Sequence, residues 1–401
     1  MSHDPLRVLH VGPLDSIHLR RWVAATTELG HLALVGGHLR PGFGTSSWPA
    51  PALAQAHHSP QLPWASTRRA RSTGSMVDRA LAGLPNALIE VPLWARWLDR
   101  LVKRLRPDVV HAHYLQQWGA AAALAEARPL IAGALGSDIY LQDRVGRRFA
   151  DAALARADVV IVPSPHGAAA LRSRDLRGSC RHLEAGIDLD FFRPPTEAER
   201  LAARERLELG DGPVVLSFRG GGPVYDLPLA IEAFRRLRAR RPAARLVVAH
   251  GPMPLDRRDA AALRGLNGSV RVLPAVPPDG MRRLFHASDV GVSVPRSDGS
   301  PSSVWESLAC STPVVASDLP QLAERVGERD GALLVRRDPE AVMEALDRVL
   351  ADRSHARALG RGGRAWSEAN VDRRVTLASL DRLYRGLASA AGAREPVTGR
   401  A

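Results

Sequence analysis

The sequence predicts an α/β protein with two Rossmann-like domains, each built on a doubly wound parallel sheet and facing the other across a cleft. Three observations lead to that prediction. The 401 residues are enough for two domains with separate cores. Short apolar runs alternate with helical patterns in both halves, which is the βαβ rhythm of a parallel sheet. The runs end at polar or glycine-rich loops, and the carboxyl ends of parallel strands meet at one crevice.

Composition narrows the classes of function. Hydrophobic residues make up 45% of the chain and charged residues 24%, which is typical of a soluble globular protein. The formal net charge is +13, and Lys103 is the only lysine, so arginine carries nearly all of the positive charge. Because no basic tract is interleaved with aromatic residues, we expect no nucleic-acid partner. A basic surface would instead attract nucleotide-linked, phosphorylated or membrane-bound anionic substrates.

Cysteine usage and apolar run lengths bear on the compartment. Cys180 and Cys310 lie far apart and lack CxxC spacing, so neither a disulfide nor a zinc site is predicted. The first residues lead directly into a predicted strand, and no stretch reaches the ~18 apolar residues of a membrane span. We therefore expect a cytoplasmic protein, with peripheral contact at the inner face of the membrane as an open alternative.

A βαβ unit opens the chain. Residues 7–12 form a short apolar run, followed by the loop GPLDSIH, a helical pattern from about His18 to Leu29 and a second run at Leu32–Val35. The loop lacks the G-x-G-x-x-G spacing of a dinucleotide site. Residues 40–83 lose all periodicity. Such a long irregular insertion predicts a mobile or functional loop, for example a cover over an acceptor.

A tryptophan-rich helix and three strands complete the first half. The helical pattern at Leu88–Leu105 alternates Trp and Leu with Arg and Lys, and it fits either a helix packed on the sheet or one lying at a membrane surface. The strands are predicted at 108–114 and within the segments PLIAGALGSDIY and ADVVIVPS. Polar residues follow these strands: His113, Ser137, Asp138 and Ser164.

Domain boundaries follow from turn and linker residues. Gly186 and Pro194 are typical of a boundary segment. The sequence therefore predicts an N-terminal domain at 1–193, a C-terminal domain at 194–370, a further helix at about 371–388 and a disordered tail at 389–401. The tail is rich in Ala, Gly and Arg, which favours disorder at a chain end.

The second half repeats the strand and helix rhythm. A strand at 213–218 leads directly into Arg219 and three glycines. Because a guanidinium binds phosphate through two N–H groups and Gly-rich backbone can approach closely, this loop is a candidate phosphate clamp. Further predicted strands end near Gly251 and Val276.

The stretch Val290–Leu319 carries the strongest site signal, because an acidic Gly/Ser loop there lies between a strand and a helix. Ser303 and Glu306 spell the S-x-x-E form of a capping box, so the helix is expected to begin near Ser303, where its N–H groups favour a phosphate. Asp298 and Glu306 lie eight positions apart. From the residues alone, Glu306 either closes the capping box or binds a ligand, and Asp298 is either a turn residue or functional.

These residues resemble the acidic-x7-acidic segment of retaining GT-B glycosyltransferases, above all their family 4. Asp298 and Gly299 match the start of that segment and Glu306 its end. The strand at 108–114 is similar to the family's D-V-V-H-x-H segment, and His182–Pro194 to the segment that closes the first domain. Two positions depart from the pattern. The family usually has Glu in place of Asp298, and it has Lys about where this chain has Tyr225.

The resemblance implies a metal-independent hexosyltransferase that moves sugar from a nucleoside diphosphate sugar to an acceptor hydroxyl, with retention and without a cofactor. It implies that Glu306 holds the ribose, Asp298 the sugar and Arg219 the diphosphate, while His113 reaches the cleft. Further donor contacts are expected from Gly220, Gly221, Tyr225, Gly251, Val276, Gly299, Ser300, Ser302 and Ser303. Residues expected on the acceptor side are Gly12, Ser16, His18, Ser137 and Asp138. The helix at 371–388 would rejoin the first domain.

Two rival functions stay open. The departures at Tyr225 and Asp298 also fit a nucleotide-sugar-binding or regulatory protein with weakened catalysis. A GT-B-type epimerase would convert the donor without any acceptor. The sequence indicates neither the base, the sugar nor the acceptor, which can be a glycan, a glycolipid or a small-molecule glycoside, because loops vary within one fold.

Overall fold

The structure is a computed structural model that describes residues 4–39, 56–60, 87–250, 255–266, 268–274 and 276–392. The chain divides into two compact units. Unit 1 comprises Met1–Ala185 and Thr376–Ala401, and unit 2 comprises Gly186–Val375. The division precedes the predicted boundary at residue 193, because Ile187, Leu189 and Phe192 are buried in the core of unit 2.

Unit 1 contains a seven-stranded parallel sheet with the order β3-β2-β1-β4-β5-β6-β7. Its strands are β1 Arg7–Pro13, β2 Leu32–His38, β3 His57–His58, β4 Val109–His113, β5 Leu130–Gly133, β6 Val159–Val162 and β7 Ser179–His182. Its helices are α1 Ile17–Glu28, α2 Ala87–Leu105, α3 Ala120–Leu124, α4 Ser137–Tyr140, α5 Arg144–Leu154 and α6 Pro165–Leu171. A π-helical turn at Leu115–Gly119 precedes α3.

The tryptophan-rich helix α2 packs on this sheet. Trp94, Leu98 and Leu101 are at most 3% exposed and recur at helical spacing on one face, which is the pattern of a helix that buries an apolar stripe. The Trp94 ring stacks on Trp118 with centroids 4.6 Å apart. These side chains are therefore enclosed by protein, and peripheral membrane contact stays a prediction. Among the helices of the described residues, none combines the length and apolarity that a bilayer crossing requires.

Unit 2 contains a six-stranded parallel sheet with the order β10-β9-β8-β11-β12-β13. Its strands are β8 Val214–Ser217, β9 Arg245–Ala249, β10 Val270–Leu273, β11 Val290–Ser293, β12 Val314–Ser317 and β13 Ala332–Val335. Its helices are α7 Glu197–Arg206, α8 Leu227–Arg240, α9 Arg257–Ala262, α10 Pro278–Ala287, α11 Ser302–Ala309, α12 Pro320–Ala323, α13 Pro339–Ala351 and α14 Arg353–Asn370. Two apolar clusters cover the two faces of the sheet.

The last helix, α15 Arg373–Gly392, begins in unit 2 and continues into unit 1, where Leu380 and Tyr384 are fully buried. Because α15 reaches Gly392, the predicted disordered tail at 389–401 starts too early. Residues 393–401 lie outside the described residues. Most of the predicted insertion at 40–83 lies outside them as well.

The prediction of two Rossmann-like parallel sheets is confirmed, and both sheets reverse their strand order next to their first strand. The reversal lies between β1 and β4 in unit 1 and between β8 and β11 in unit 2. Strand β7 was not predicted, because its residues Ser179–His182 are polar and mostly exposed and therefore lack an apolar run. Because open parallel sheets bind ligands where the strand order reverses, the loops that follow β1, β4, β8 and β11 are the candidate ligand-binding loops.

Candidate functional site

The candidate donor site lies at the carboxyl end of the unit 2 sheet. Strands β8 and β11 are neighbours at the point where the order reverses. In open parallel sheets, ligands bind in the crevice at such a switch point. The loop after β8 carries Arg219 and the loop after β11 carries Asp298, so topology brings together two residues that are 79 positions apart.

Arg219 and Asp298 form an ion pair in this crevice. Nη2 of Arg219 donates to Oδ2 of Asp298 at 2.5 Å, and the two side chains are 13% and 14% exposed. Nε of Arg219 donates to Oγ of Ser293 at 3.0 Å. The guanidinium carbon lies 5.6 Å from the centre of the Tyr225 ring. Arg219, the residue predicted to bind the diphosphate, therefore contacts Asp298, the residue predicted to bind the sugar.

Helix α11 begins at Ser302, one residue earlier than predicted. Pro301 is its N-cap, and no side-chain hydrogen bond caps the helix, so the predicted capping box of Ser303 and Glu306 does not form. The Pro301 carbonyl instead accepts from the Val304 N–H at 2.7 Å. Glu306 is 6% exposed. The interpretation of Glu306 as a capping residue is therefore wrong, and its role as a ligand-binding residue stays a prediction.

Neighbouring groups hold the acidic loop in place. The amide of Gln321 donates to the backbone carbonyl of Asp298. The indole N–H of Trp305 donates to Oγ of Ser300 at 3.1 Å. The cavity beneath the loop has a volume of about 10 Å³, which admits about one water molecule. Gln321 and Trp305 thus fix the backbone of Asp298 and the side chain of Ser300.

The other predicted donor contacts differ in exposure. Gly221 and Gly299 are buried. Those that are half-buried are Gly220, Tyr225, Val276, Ser300, Ser302 and Ser303. The Ser302 N–H donates to the Ser300 carbonyl at 2.9 Å, so a phosphate that used this N–H would have to replace that bond. Gly251 lies outside the described residues. Contact of these residues with a donor stays a prediction.

Asp226, which the sequence analysis did not identify, connects three loops at the same edge of the sheet. Its φ of 50° lies in the left-handed region, which is uncommon for a residue other than glycine. Oδ2 of Asp226 accepts from Nη2 of Arg296 at 2.8 Å and also from Nη2 of Arg337. Nε of Arg337 donates to the Val294 carbonyl at 3.3 Å. Asp226 thus links the loops that follow β8, β11 and β13.

We expect Asp226→Asn to raise the KM for the donor about fivefold, because the two partly exposed guanidinium groups lose their shared carboxylate and the loops that carry Arg219 and Asp298 are held less firmly. Asparagine tolerates the left-handed backbone, so the change removes charge without adding strain. The measurement is steady-state kinetics with varied donor. Glu232→Gln, which removes an exposed carboxylate from α8, is the matched control. An unchanged KM would show that Asp226 does not position the donor loops.

The predicted acceptor residues of unit 1 begin at the end of β1. Gly12 is buried, and a Cβ added at Gly37, whose φ is 157°, would lie 1.8 Å from the Gly12 carbonyl oxygen. Gly37 therefore allows its backbone to approach that of Gly12 closely. Ser16 is the N-cap of α1 without a side-chain hydrogen bond to the helix, and it is half-buried like His18. Contact of these residues with an acceptor stays a prediction.

Asp138 holds loops together. It is fully buried, and its two oxygens accept the backbone N–H groups of Leu115 at 2.8 Å, Leu135 at 2.8 Å and Gly136 at 2.9 Å. Burial raises the pKa of Asp138, and these hydrogen bonds oppose the rise. The structure therefore corrects its predicted placement on the acceptor surface, because the carboxylate lies inside unit 1 and joins the segments that follow β4 and β5.

Tyr114 follows β4 directly and was not named as a candidate site residue from the sequence. Its φ of 86° is strained for a residue with a side chain, and such strain is found at functional sites more often than elsewhere. The Tyr114 hydroxyl lies 3.0 Å from Oγ of Ser137, which joins the ends of β4 and β5. Both residues are half-buried. A sequence signal existed, since an aromatic residue stands immediately after the D-V-V-H-x-H segment.

Three buried histidines lie on β1 and β4. His10 and His111 are 0% exposed and His113 is 1% exposed. Burial lowers the pKa of His10 to about 3 and keeps the pKa values of His111 and His113 well below the ordinary value. All three imidazoles are therefore neutral near pH 7. The structure thus corrects the predicted placement of His113 at the cleft, because its side chain is enclosed within unit 1.

Short contacts join these histidines to Thr26. Nε2 of His10 lies 2.8 Å from Oγ1 of Thr26, and Nδ1 of His10 lies 3.0 Å from Nε2 of His113. Nδ1 of His111 lies 3.0 Å from the Tyr384 hydroxyl. Nε2 of His111 and Nδ1 of His113 are buried and have no hydrogen-bond partner among the described residues.

The same three histidines are the candidate metal ligands in the described part of the chain, since one nitrogen of each lies within 4.8 Å of the others. Their geometry does not suit an ion. The rings of His10 and His113 are 14° from parallel with centroids 5.3 Å apart, so the bonded nitrogens face each other nearly head-on. An ion about 2.0–2.1 Å from both nitrogens would lie off that line, where neither lone pair points. Within the cluster, His10 and His113 are joined by a hydrogen bond, whereas His111 bonds to the Tyr384 hydroxyl.

Comparison with known proteins supports the resemblance. The model "Glycosyl transferases group 1" matches residues 199–366, and the model "Glycosyltransferase Family 4" matches residues 50–191. A sucrose-phosphate synthase from Thermosynechococcus elongatus superposes with a TM-score of 0.75 over 96% of this chain and 99% of its own, at 22% identity. Both halves of the chain thus match glycosyltransferase models, and the fold is GT-B. The first match includes the Arg219–Asp298 pair, Asp226 and α11.

The proteins to which the chain is similar carry several names. A GDP-mannose-dependent alpha-(1-6)-phosphatidylinositol monomannoside mannosyltransferase from Mycolicibacterium smegmatis is 31% identical over 51% of this chain and 56% of that protein. A D-inositol 3-phosphate glycosyltransferase from Stackebrandtia nassauensis is 34% identical over 44% of this chain and 42% of that protein. The Anabaena protein HepE, solved in complex with UDP-glucose, superposes with a TM-score of 0.76 at 16% identity, over 95% of this chain and all of its own. The matched part spans about half the length of the two curated relatives.

Proposed function

We propose that this glycosyltransferase moves a sugar from a nucleoside diphosphate sugar to an acceptor hydroxyl, with retention of anomeric configuration and without a metal ion. One observation carries the proposal. At the β8/β11 switch point, a guanidinium, a carboxylate and a helix N-terminus meet within the region that matches the group 1 transferases. A guanidinium and a helix N-terminus both bind phosphate, and a carboxylate accepts hydrogen bonds from sugar hydroxyls.

Each residue then has a chemical role. Arg219 stabilises the charge that builds on the departing diphosphate, Asp298 orients the sugar and Glu306 accepts from the ribose hydroxyls. Charge-assisted hydrogen bonds of this kind contribute about 1.5–3 kcal/mol each. Removing one donor that serves the transition state lowers turnover ~10²-fold or more in comparable sites. The phosphate itself can take the proton of the acceptor hydroxyl, so the mechanism needs no strong protein base.

The nucleotide is the first unknown to test. The names of the relatives include GDP-mannose, and HepE was solved with UDP-glucose, so both bases belong in the screen. We expect one of the UDP-, GDP- or dTDP-sugars to raise the melting temperature, since a ligand at 100 times its Kd stabilises the state it binds by about 2.7 kcal/mol. Absence of any shift with all three series would refute the donor assignment.

Transfer is tested next, with inositol phosphates among the acceptors because the names of several relatives contain inositol. Reactions run with and without EDTA test the metal independence. A single-turnover assay separates this proposal from the rival that Tyr225 suggests, a nucleotide-sugar-binding protein that has lost turnover. Binding without transfer or hydrolysis would favour the rival, and conversion of the donor without acceptor would favour an epimerase.

A further inference from the structure

We propose that Asp298 makes the donor site discriminate a nucleoside diphosphate sugar from the sugar-free nucleoside diphosphate, by occupying Arg219 until sugar hydroxyls engage the carboxylate. The inference rests on the proposed function and deepens it, because it assigns a selection step to that same site. The two molecules compared are the nucleoside diphosphate sugar and the nucleoside diphosphate that remains after transfer. They share the nucleoside and the diphosphate, and only the first carries a sugar.

The Arg219 guanidinium is already paired in the absence of a ligand. Arg219 is the predicted diphosphate ligand, yet its charge is paired with Asp298 at 2.5 Å and its Nε donates to Ser293. Carboxylate and phosphate oxygens are equivalent partners for a guanidinium. A diphosphate that approaches Arg219 also meets the negative charge of Asp298. Because both side chains are largely enclosed, water screens that repulsion poorly.

The backbone of Asp298 is held in place, so a ligand can displace only its side chain. Its backbone carbonyl is held by Gln321, and the cavity under the loop has room for about one water molecule. The backbone at Asp298 is therefore anchored, and the space beside it takes no more than about one water molecule. A diphosphate at Arg219 would turn the Asp298 side chain away from the guanidinium without moving the loop backbone.

The two ligands differ in the hydrogen-bond donors that they bring to the displaced Asp298 carboxylate. A sugar attached to the diphosphate brings hydroxyl groups that donate to Asp298 and replace its bond to Arg219. A sugar-free nucleoside diphosphate brings no such donor, so it leaves a largely enclosed carboxylate without its partner, which is unfavourable. The site therefore binds the donor better than the product. After transfer, Asp298 returns to Arg219 and speeds release of the diphosphate.

The test is calorimetric titration of two matched pairs, GDP with GDP-mannose and UDP with UDP-glucose, on the wild type and on Asp298→Asn. The variant is expected to bind the sugar-free diphosphate about tenfold more tightly. Its affinity for the nucleotide sugar should stay equal or fall, so the preference for the sugar form collapses. Inorganic pyrophosphate, which lacks the nucleoside, should also bind more tightly to the variant.

Glu232→Gln controls for net charge, because it removes one carboxylate on α8 that contacts Arg235 and Arg236. A double-mutant cycle with Arg219→Met supplies the second control. In the Arg219→Met background, Asp298→Asn should change diphosphate affinity less than twofold, because no guanidinium remains to be released. Asp298→Ala repeats the experiment if the Asn variant fails to fold.

The outcomes separate this inference from the function on which it rests. If the wild type binds a nucleotide sugar and Asp298→Asn leaves the affinity for its diphosphate unchanged, the selection role is overturned and the donor assignment stands. If the Asn variant tightens diphosphate binding equally with and without Arg219, the competition is not with the guanidinium and the inference also fails. If neither protein binds any nucleotide, pyrophosphate or nucleotide sugar, both the proposed function and this inference fall.

Discussion

Glu306→Gln is expected to lower donor affinity roughly 10- to 100-fold and to abolish the melting shift caused by the nucleotide sugar at moderate concentration. Its carboxylate would otherwise accept charge-assisted hydrogen bonds from the ribose, worth about 1.5–3 kcal/mol. Glutamine preserves the size of the side chain, which matters because Glu306 is only 6% exposed on α11. The measurements are thermal shift with and without donor and calorimetric titration of the nucleotide.

The apo melting temperature provides the internal control for that variant. Since α11 has no side-chain cap, the charge of Glu306 is not needed to begin the helix. Apo Glu306→Gln should therefore melt within a few degrees of the wild type. A large fall in apo stability, or an undiminished shift with the donor, would contradict the ribose role. Glu232→Gln again supplies the comparison for loss of a carboxylate elsewhere on unit 2.

Acid is expected to destabilise unit 1 through its buried histidines. Because the pKa of His10 is lowered to about 3 and those of His111 and His113 lie well below the ordinary value, the folded chain keeps these imidazoles neutral. The unfolded chain takes up protons below about pH 6.5. Stability is therefore complete above pH 6.5 and falls as pH drops toward the folded pKa values. Between pH 7.5 and 5.5 each histidine contributes about 1.4 kcal/mol of loss, or about 4 kcal/mol for all three.

Urea unfolding followed by tryptophan fluorescence at these two pH values measures this effect. Replacing one buried histidine, as in His10→Gln, should reduce the difference between the two free energies of unfolding by about 1.4 kcal/mol. His58→Gln is the matched control, because His58 is exposed on β3. If His10→Gln retains the whole pH dependence of the wild type, the histidines are not its source.

The sequence patterns of short segments were sufficient to predict most of the loops in the donor region. The apolar run of β11, the glycines after β8 and the eight-residue spacing of Asp298 and Glu306 are properties of short segments, and they placed the candidate loops correctly on strand ends. The S-x-x-E pattern failed for a local reason as well. Pro301 begins the helix one residue early, so Ser303 stands inside the first turn and not at the cap.

Side-chain partners at the same edge could not be predicted in this way. The Asp226 bonds to Arg296 and Arg337 join residues 70 and 111 positions away. Which of many arginines meets a given aspartate depends on strand order, and strand order is a property of the assembled sheet. The left-handed backbone of Asp226 was not predicted either, because that position carries neither of the residues, glycine and asparagine, that most often mark this conformation.

In unit 1 the strand ends were again found, while the burial of the side chains there was not. His113 lies at the end of β4 and Asp138 in the short helix after β5, where polar residues often contact ligands, but the fold closes over both. Sequence periodicity thus located the two sheets, their helices and the loops that could hold a substrate, because those features depend on neighbours a few residues apart. The Arg219–Asp298 pair and the enclosed histidines depend on distant segments meeting in space, and only the folded chain decides which polar groups meet each other there and which remain open to a ligand.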